Sequence, residues 1–248
     1  MKVPEWIKGS IPRRKPSEEL KKRLKERSLH TVCEEAKCPN IGECYGKGTA
    51  TFLIMGNICT RNCAFCAVKS GKPEKLDESE PGRVAEEIRN LGIKHAVITS
   101  PSRDDLEDGG AEHFRKTVRE IKNLDNNVSV EVLIPDFGGN EDSLKRVLES
   151  GIDVLNHNVE TVPRLYSEIR PEAEYSRSLE ILNIASNYNK DLPVKSGIIL
   201  GLGESLEEVY DVMDDLLHAG CSLLTIGQYL RPSSQSYPVQ RYVTPEEF

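Results

Sequence analysis

The chain has no run of about 18 apolar residues, so nothing in it reads as a membrane-spanning helix. Its first residues turn polar within a few positions and hold no secretory h-region. Positive charge is not in excess. The 33 Lys and Arg are outnumbered by 40 Asp and Glu, giving a formal net charge of −7, which argues against a general nucleic-acid binder. The paired cysteines of a disulfide scaffold are missing too. Seven is an odd number, and 248 residues can bury a core without such staples. The histidines (His30, His95, His113, His157 and His218) show no metal-ligand spacing among themselves.

What is present is concentrated. Six of the seven cysteines lie between residues 33 and 66, as two triplets. Cys33, Cys38 and Cys44 form a C-x4-C-x5-C; Cys59, Cys63 and Cys66 form a C-x3-C-x2-C. A cubane iron–sulfur cluster takes four ligands. Three thiolates leave one iron open, and in the second triplet a small molecule can take that place. Structural zinc wants four protein ligands in C-x2-C pairs, which this spacing does not offer. Cluster ligands must remain thiolates, which suits a reducing compartment and leads us to expect a cytoplasmic protein. Cys221 stands alone and reads as a small buried apolar residue.

Downstream the chain alternates between short apolar runs and amphipathic stretches. Strands are expected at 49–57, 95–100, 128–134, 152–157, 194–200 and 222–227. Helices are expected at 81–91, 109–124, 140–150, 174–188 and 204–219, with a charged helix earlier, from Ser17 onward. Such alternation means parallel strands joined by crossovers. Six βα units are too few for a closed eight-stranded barrel. The fold class is therefore α/β: a partial (β/α)6 TIM-type barrel with an N-terminal iron–sulfur-binding extension. Three regions are expected: the extension at 1–48, the barrel at 49–228 and a C-terminal extension from 229 to 248. Function in such a sheet sits at the carboxyl ends of the strands, where the second triplet also falls.

The C-x3-C-x2-C after the first strand resembles the radical S-adenosylmethionine (SAM) superfamily. The upstream triplet narrows the resemblance to the lipoyl synthase family. So do HTVCEEAKCPNIGEC, CTRNCAFC, RDDL-x-DGGAEHF, VEVLIPDF, NHN-x-ETVPRLY, KSG, LGLGE and TIGQYLRPS, from about residue 29 to the last. The resemblance implies that Cys59, Cys63 and Cys66 hold a 4Fe-4S cluster to which SAM binds, and that Cys33, Cys38 and Cys44 hold an auxiliary 4Fe-4S cluster. It implies that two sulfur atoms are inserted at C6 and C8 of an octanoyl group on a lysine, with the auxiliary cluster as sulfur source. The implied partners are an octanoylated lipoyl carrier domain (a 2-oxoacid dehydrogenase E2 or the glycine cleavage H protein) and an electron donor such as ferredoxin or flavodoxin. An unactivated C–H bond calls for a radical, because no side-chain base can take a proton from an alkane.

Several further residues carry two readings each. Phe65 is an aromatic wall beside the open iron, or core packing. Thr99 and Ser100 end the second strand and approach SAM, or are loop residues. Asn158 and Glu160 bond SAM or the substrate chain, or cap the fourth strand. Lys195 pairs with the SAM carboxylate, or is structural. Gln228 ends the sixth strand with the same choice. The glycines of LGLGE are expected to let the backbone approach SAM. Thr244-Pro245-Glu246-Glu247 reads as a helix start, and the family pattern continues beyond it to an Arg-Ser-Ser-Tyr segment, so a C-terminally truncated chain is expected. Two alternatives remain beside the main reading. One is another radical SAM enzyme with an auxiliary cluster, such as a biotin-synthase-like sulfur inserter. The other is a non-catalytic two-cluster electron carrier, which would want four cysteines per cubane.

Overall fold

The computed structural model describes residues 3–10, 18–35 and 49–248. Cys38, Cys44 and Ser17 lie outside the described residues. Two helices come first, α1 (Glu5–Ser10) and α2 (Glu18–Glu26). A two-residue strand β1 (His30–Thr31) runs into the single turn α3 (Val32–Glu35), which carries Cys33. Then follow β2 (Thr49–Leu53), β3 (Ile58–Cys59), β4 (Lys69–Ser70), α4 (Glu80–Leu91), β5 (His95–Thr99), α5 (Ala111–Leu124), β6 (Ser129–Leu133), α6 (Glu141–Leu148) and β7 (Val154–Asn156). The rest is α7 (Tyr166–Ile169), α8 (Tyr175–Tyr188), β8 (Val194–Leu200), α9 (Leu206–His218) and β9 (Leu223–Gln228).

The main sheet has the order β1-β2-β5-β6-β7-β8-β9. All its pairs are parallel except β1 with β2. The six expected parallel strands and the five helices between them are thus present, and they form an open, partial TIM-type barrel. Each helix shows why it covers the sheet. In α5, Ala111, Phe114, Val118 and Ile121 are buried at helical spacing, so one apolar face meets the strands. The ends are fixed locally. Gly92 terminates α4 in the left-handed conformation, the Asn140 side chain caps α6, and Ser205 with Glu208 forms a capping box on α9.

Strand alternation divides the side chains between the helix layer and the lumen. Ala96, Ile98, Val130 and Val132 are fully covered on the helix side. Glu131, on the opposite face, accepts from Asn156 Nδ2 at 2.9 Å and from Lys195 Nζ at 2.9 and 3.2 Å. Its carboxyl is buried, yet hydrogen bonds from His95, Lys195 and Asn156 hold it at about 2. The lumen floor is therefore a charged, paired layer.

Among the features not expected from sequence are two that shape the site's surroundings. The β1 strand stitches the N-terminal segment antiparallel to β2, with His30 opposite Leu53. A 3-10 turn (Pro163–Leu165) and α7 fill the crossover between β7 and α8. Among the described residues, no helix is long and apolar enough to cross a membrane.

Candidate active site

Residues 54–57 lead from β2 into the cysteine loop, and the side chains of Arg103 and Glu80 hold this entry. Arg103, only 2% exposed, donates to the Met55 carbonyl and to the Glu74 carbonyl and pairs with Asp105. Glu80 accepts the Met55 N–H at 2.7 Å and the His113 ring at 2.7 Å. The RDDL and GGAEHF motifs therefore serve the loop entry rather than forming a plain surface turn. The loop itself is closed by the parallel pairing of β3 with β4 and by the Gly71 N–H on the Cys59 carbonyl.

Cys59, Cys63 and Cys66 are all half-buried around one cavity of about 430 Å³ at the carboxyl ends of the strands. Backbone N–H groups already point at two of the sulfurs. Arg61 and Ser102 donate to Cys59 Sγ at 3.4 and 3.3 Å, and Val68 donates to Cys66 Sγ at 3.4 Å. Burial pushes the Cys63 thiol up to about 11, against the nearby charge of Arg170, and the two neighbouring sulfurs push it further. Three crowded thiolates need positive charge among them, which is what iron supplies. Among the described residues, no three His, Cys, Asp or Glu side chains are grouped to hold a single metal ion. Thiols ringing a cavity suit a cluster that takes its ligands at separate corners. The donor set thus fits a cubane with one open iron.

Most of the expected contact residues line this cavity. Phe65, Thr99, Ser100, Asn158, Glu160 and Gln228 are all in its wall. The Ser100 hydroxyl is buried and has no partner. Thr99 spends its hydroxyl on the Leu133 carbonyl at 2.8 Å. Asn158 Nδ2 donates to Glu160 Oε1 at 3.1 Å, and burial pushes the Glu160 carboxyl up while Arg170 opposes the shift. Gly197 of KSG makes room for this pair: a Cβ there would stand 2.7 Å from Asn158 Oδ1. Lys195 lines a second cavity of about 210 Å³ that shares Asn158 and Glu160, and its ammonium is engaged by Glu131. Val32, next to Cys33, stands on the rim of the main cavity. The segment that carries the first cysteine of the upstream triplet therefore reaches the cavity that the second triplet lines.

Gln228 has a further task. Its Nε2 donates to the Leu200, Tyr229 and Arg241 carbonyls, and its Oε1 accepts the Val243 N–H at 2.8 Å. It clamps residues 241–243 across the ends of β8 and β9. Gly201 of LGLGE serves the same clamp, since a Cβ there would stand 2.4 Å from Gln228 Nε2 and 2.5 Å from the Arg241 carbonyl. The close approach is made to the chain's own C-terminal segment. That segment also wraps the cysteine loop: Tyr237 N–H donates to the Ala64 carbonyl at 2.8 Å, and Tyr229, Leu230 and Pro232 line the cavity.

Sequence reasoning missed two arginines. Arg170 donates through Nη1 to the Asn158 and Val159 carbonyls, both at 3.0 Å, and to the Tyr166 hydroxyl at 3.1 Å. Its guanidinium lies 5.3 Å from the Tyr166 ring centre, and its buried Nε has no partner. The signal was a lone cation in Ile169-Arg170-Pro171. Arg61, inside the second triplet, is bound by Asp104 and Asp136.

His157 is buried at the cavity edge. Nδ1 lies 2.9 Å from the Ile134 carbonyl, so the proton sits there, and Nε2 accepts from Ser178 at 3.0 Å. Burial, with the charge of Arg170, holds its pKa down to about 4. A depressed histidine binds fewer protons folded than unfolded between about 4 and 6.5, so stability is lost as pH falls through that window. The contribution at stake is about 3 kcal/mol. Replacing His157 with Gln should lower the melting temperature at about pH 7.5 but flatten the further loss down to about pH 5. An unchanged pH dependence would dismiss this assignment.

A parallel partial barrel with a three-cysteine loop after its first long strand is the architecture of a radical SAM protein. The pattern of the Radical SAM superfamily matches residues 53–216, and that of the N-terminal domain of lipoyl synthase matches residues 1–38. The chain is 55% identical over 251 residues to the lipoyl synthase of Caldanaerobacter subterraneus subsp. tengcongensis, covering 100% of this chain and 87% of that one. It is 52% identical over 247 residues to the lipoyl synthase of Caldicellulosiruptor saccharolyticus, again covering 100% and 87%. The chain belongs to the lipoyl synthase family. Solved structures similar in fold include HydG, a maturase of the FeFe-hydrogenase, with a TM-score of 0.63 at 18% identity, covering 94% of this chain and 53% of HydG. Another is SuiB of Streptococcus suis bound to S-adenosylmethionine, with a TM-score of 0.61 at 9% identity, covering 92% and 50%.

Proposed function

We propose that this chain is a lipoyl synthase, a radical SAM sulfurtransferase that inserts two sulfur atoms, at C6 and C8, into an octanoyl-lysine. The observation that carries this reading is the ring of three thiols at one cavity, with the Cys33 segment on its rim. Cys59, Cys63 and Cys66 would hold one 4Fe-4S cluster; Cys33, with Cys38 and Cys44, would contribute to the auxiliary one. When bound, the first cluster would supply the electron for reductive cleavage of SAM and the auxiliary cluster would supply the sulfide that is inserted.

The chain's own residues do the rest. Arg170 lines the cavity, its charge reaches the Cys63 thiol, and its guanidinium, with a buried Nε that has no partner, suits the SAM carboxylate. Asn158, Glu160 and the Ser100 hydroxyl offer polar contacts to the SAM amino group and ribose. Phe65, Leu133, Ile134, Ile199 and Leu230 form apolar walls for an alkyl chain and exclude water from the radical. Thr99 and Gln228 support these contacts from the strand ends, and Lys195 supports them from the Glu131 layer beneath. We infer that the octanoyl group arrives on a lipoyl carrier domain, of the E2 or H-protein kind. An electron donor such as ferredoxin or flavodoxin and a cytoplasmic setting follow from the need for reduced clusters.

The test is turnover. The reconstituted protein, given SAM, dithionite and an octanoyl-lysine peptide, should release lipoyl-lysine with one 5′-deoxyadenosine for each C–H bond broken. Turnover of dethiobiotin instead would favour the biotin-synthase-like alternative. Absence of 5′-deoxyadenosine would favour an electron carrier.

A further inference from the structure

Arg61 sits between Cys59 and Cys63, two ligands of the proposed cluster, and all three nitrogens of its guanidinium bond carboxylates elsewhere. Nε and Nη2 grip Asp104 at 2.9 and 2.7 Å. Nη1 and Nη2 grip Asp136 at 3.0 and 2.6 Å. Asp104 follows β5 and Asp136 follows β6, so one side chain spans two strand ends. Arg61 is 8% exposed and Asp136 1%. Asp136 also accepts the Gly138 N–H, and Arg177 from α8 lies 3.4 Å from it. Next to Arg61, the Thr60 hydroxyl donates to Asp104 at 2.6 Å and the Thr60 N–H donates to the Ser102 carbonyl. The Arg61 and Ser102 N–H groups converge on Cys59 Sγ.

Buried ion pairs are poor sources of stability, because desolvating the charges offsets their attraction. Their strength is geometric. A planar guanidinium fixes two carboxylates in set directions, and a lysine cannot. We propose that Arg61 is a positioning residue for the cluster loop, and that its bracket with Asp104 and Asp136 sets where the cysteine thiols stand relative to the cavity. The inference rests on the proposed role of Cys59, Cys63 and Cys66. Hydrogen abstraction needs its donor and acceptor carbons close and aligned, and a shift of about 1 Å can cost about a hundredfold.

The test uses Arg61→Lys and Asp104→Asn in the reconstituted full chain. Asp104 is half-exposed, so its loss leaves the buried Arg61–Asp136 pair in place. In Arg61→Lys, iron and sulfide content should stay near wild type and the SAM KM should change by less than about threefold. Lipoyl product per 5′-deoxyadenosine should fall about tenfold or more, and the electron paramagnetic resonance signal of the reduced protein with SAM should shift or broaden. Asp104→Asn should show a smaller loss of the same kind. Adding Arg61→Lys to it should cost less than it does alone, because both break one bracket. Wild-type coupling and an unchanged signal in Arg61→Lys overturn the proposal. Should that variant not fold, wild-type coupling in folded Asp104→Asn overturns it equally. A wild-type protein that cleaves no SAM would defeat the cluster reading and this inference with it. Wild-type cleavage with an unaffected Arg61→Lys would defeat this inference alone.

Discussion

Cys63→Ala should abolish SAM cleavage, with 5′-deoxyadenosine formation down by more than about a thousandfold, as when one member of a catalytic unit is removed. The reasoning is structural. Cys63 lies among Cys59, Cys66, Arg170 and Glu160, whose charges all act on its thiol. Two remaining thiolates cannot keep a cubane with a single open iron. Iron content should fall from about eight per chain to about four, and the remaining cluster should belong to the upstream triplet. Cys221→Ala is the control. Burial alone pushes that thiol up to about 11, and no other group is involved. Its loss should leave iron content and cleavage unchanged. Cleavage that survives in Cys63→Ala would refute the division of labour between the triplets.

The barrel was legible because its information is local. A strand such as Val194–Leu200 or a helix such as Ala111–Leu124 carries its own period, and each appears within a few residues of its expected ends. The grouping of Cys59, Cys63 and Cys66 was legible because their spacing along the chain places all three at one cavity. Elements of two residues leave no period, so β1 was missed, although it leads directly to Val32, which lines the cavity. Side chains that act through distant partners leave no pattern either. Arg61 meets carboxylates 43 and 75 positions away, and Gln228 meets backbone 13 and 15 positions on. Strand-end position brought Gln228 forward as a cofactor contact, and the charge of Lys195 in KSG brought that residue forward. Three-dimensional pairing commits their polar atoms to the C-terminal segment and to Glu131. The same blindness hid Arg170, whose buried Nε has no partner.

Replacing that residue, as Arg170→Met, should have two separable effects. Methionine keeps the unbranched apolar stem and removes every donor. The Asn158 and Val159 carbonyls lose their shared partner, and Glu160 loses the cation that opposes its burial. Breaking such a contact should cost about 2–4 kcal/mol of stability, read as a lower melting temperature. The second effect is on the cofactor. A charge-assisted contact to the SAM carboxylate is worth about 1.5–3 kcal/mol, so SAM affinity should fall about tenfold to a hundredfold. Arg170→Lys should recover part of the affinity through its charge but little of the carbonyl bonding, because an ammonium cannot reproduce the fork. Melting curves and SAM binding by equilibrium dialysis report the two effects independently. If Arg170→Met melts early yet binds SAM with wild-type affinity, the arginine serves the strand ends alone, and the SAM carboxylate must find its cation elsewhere in the cavity.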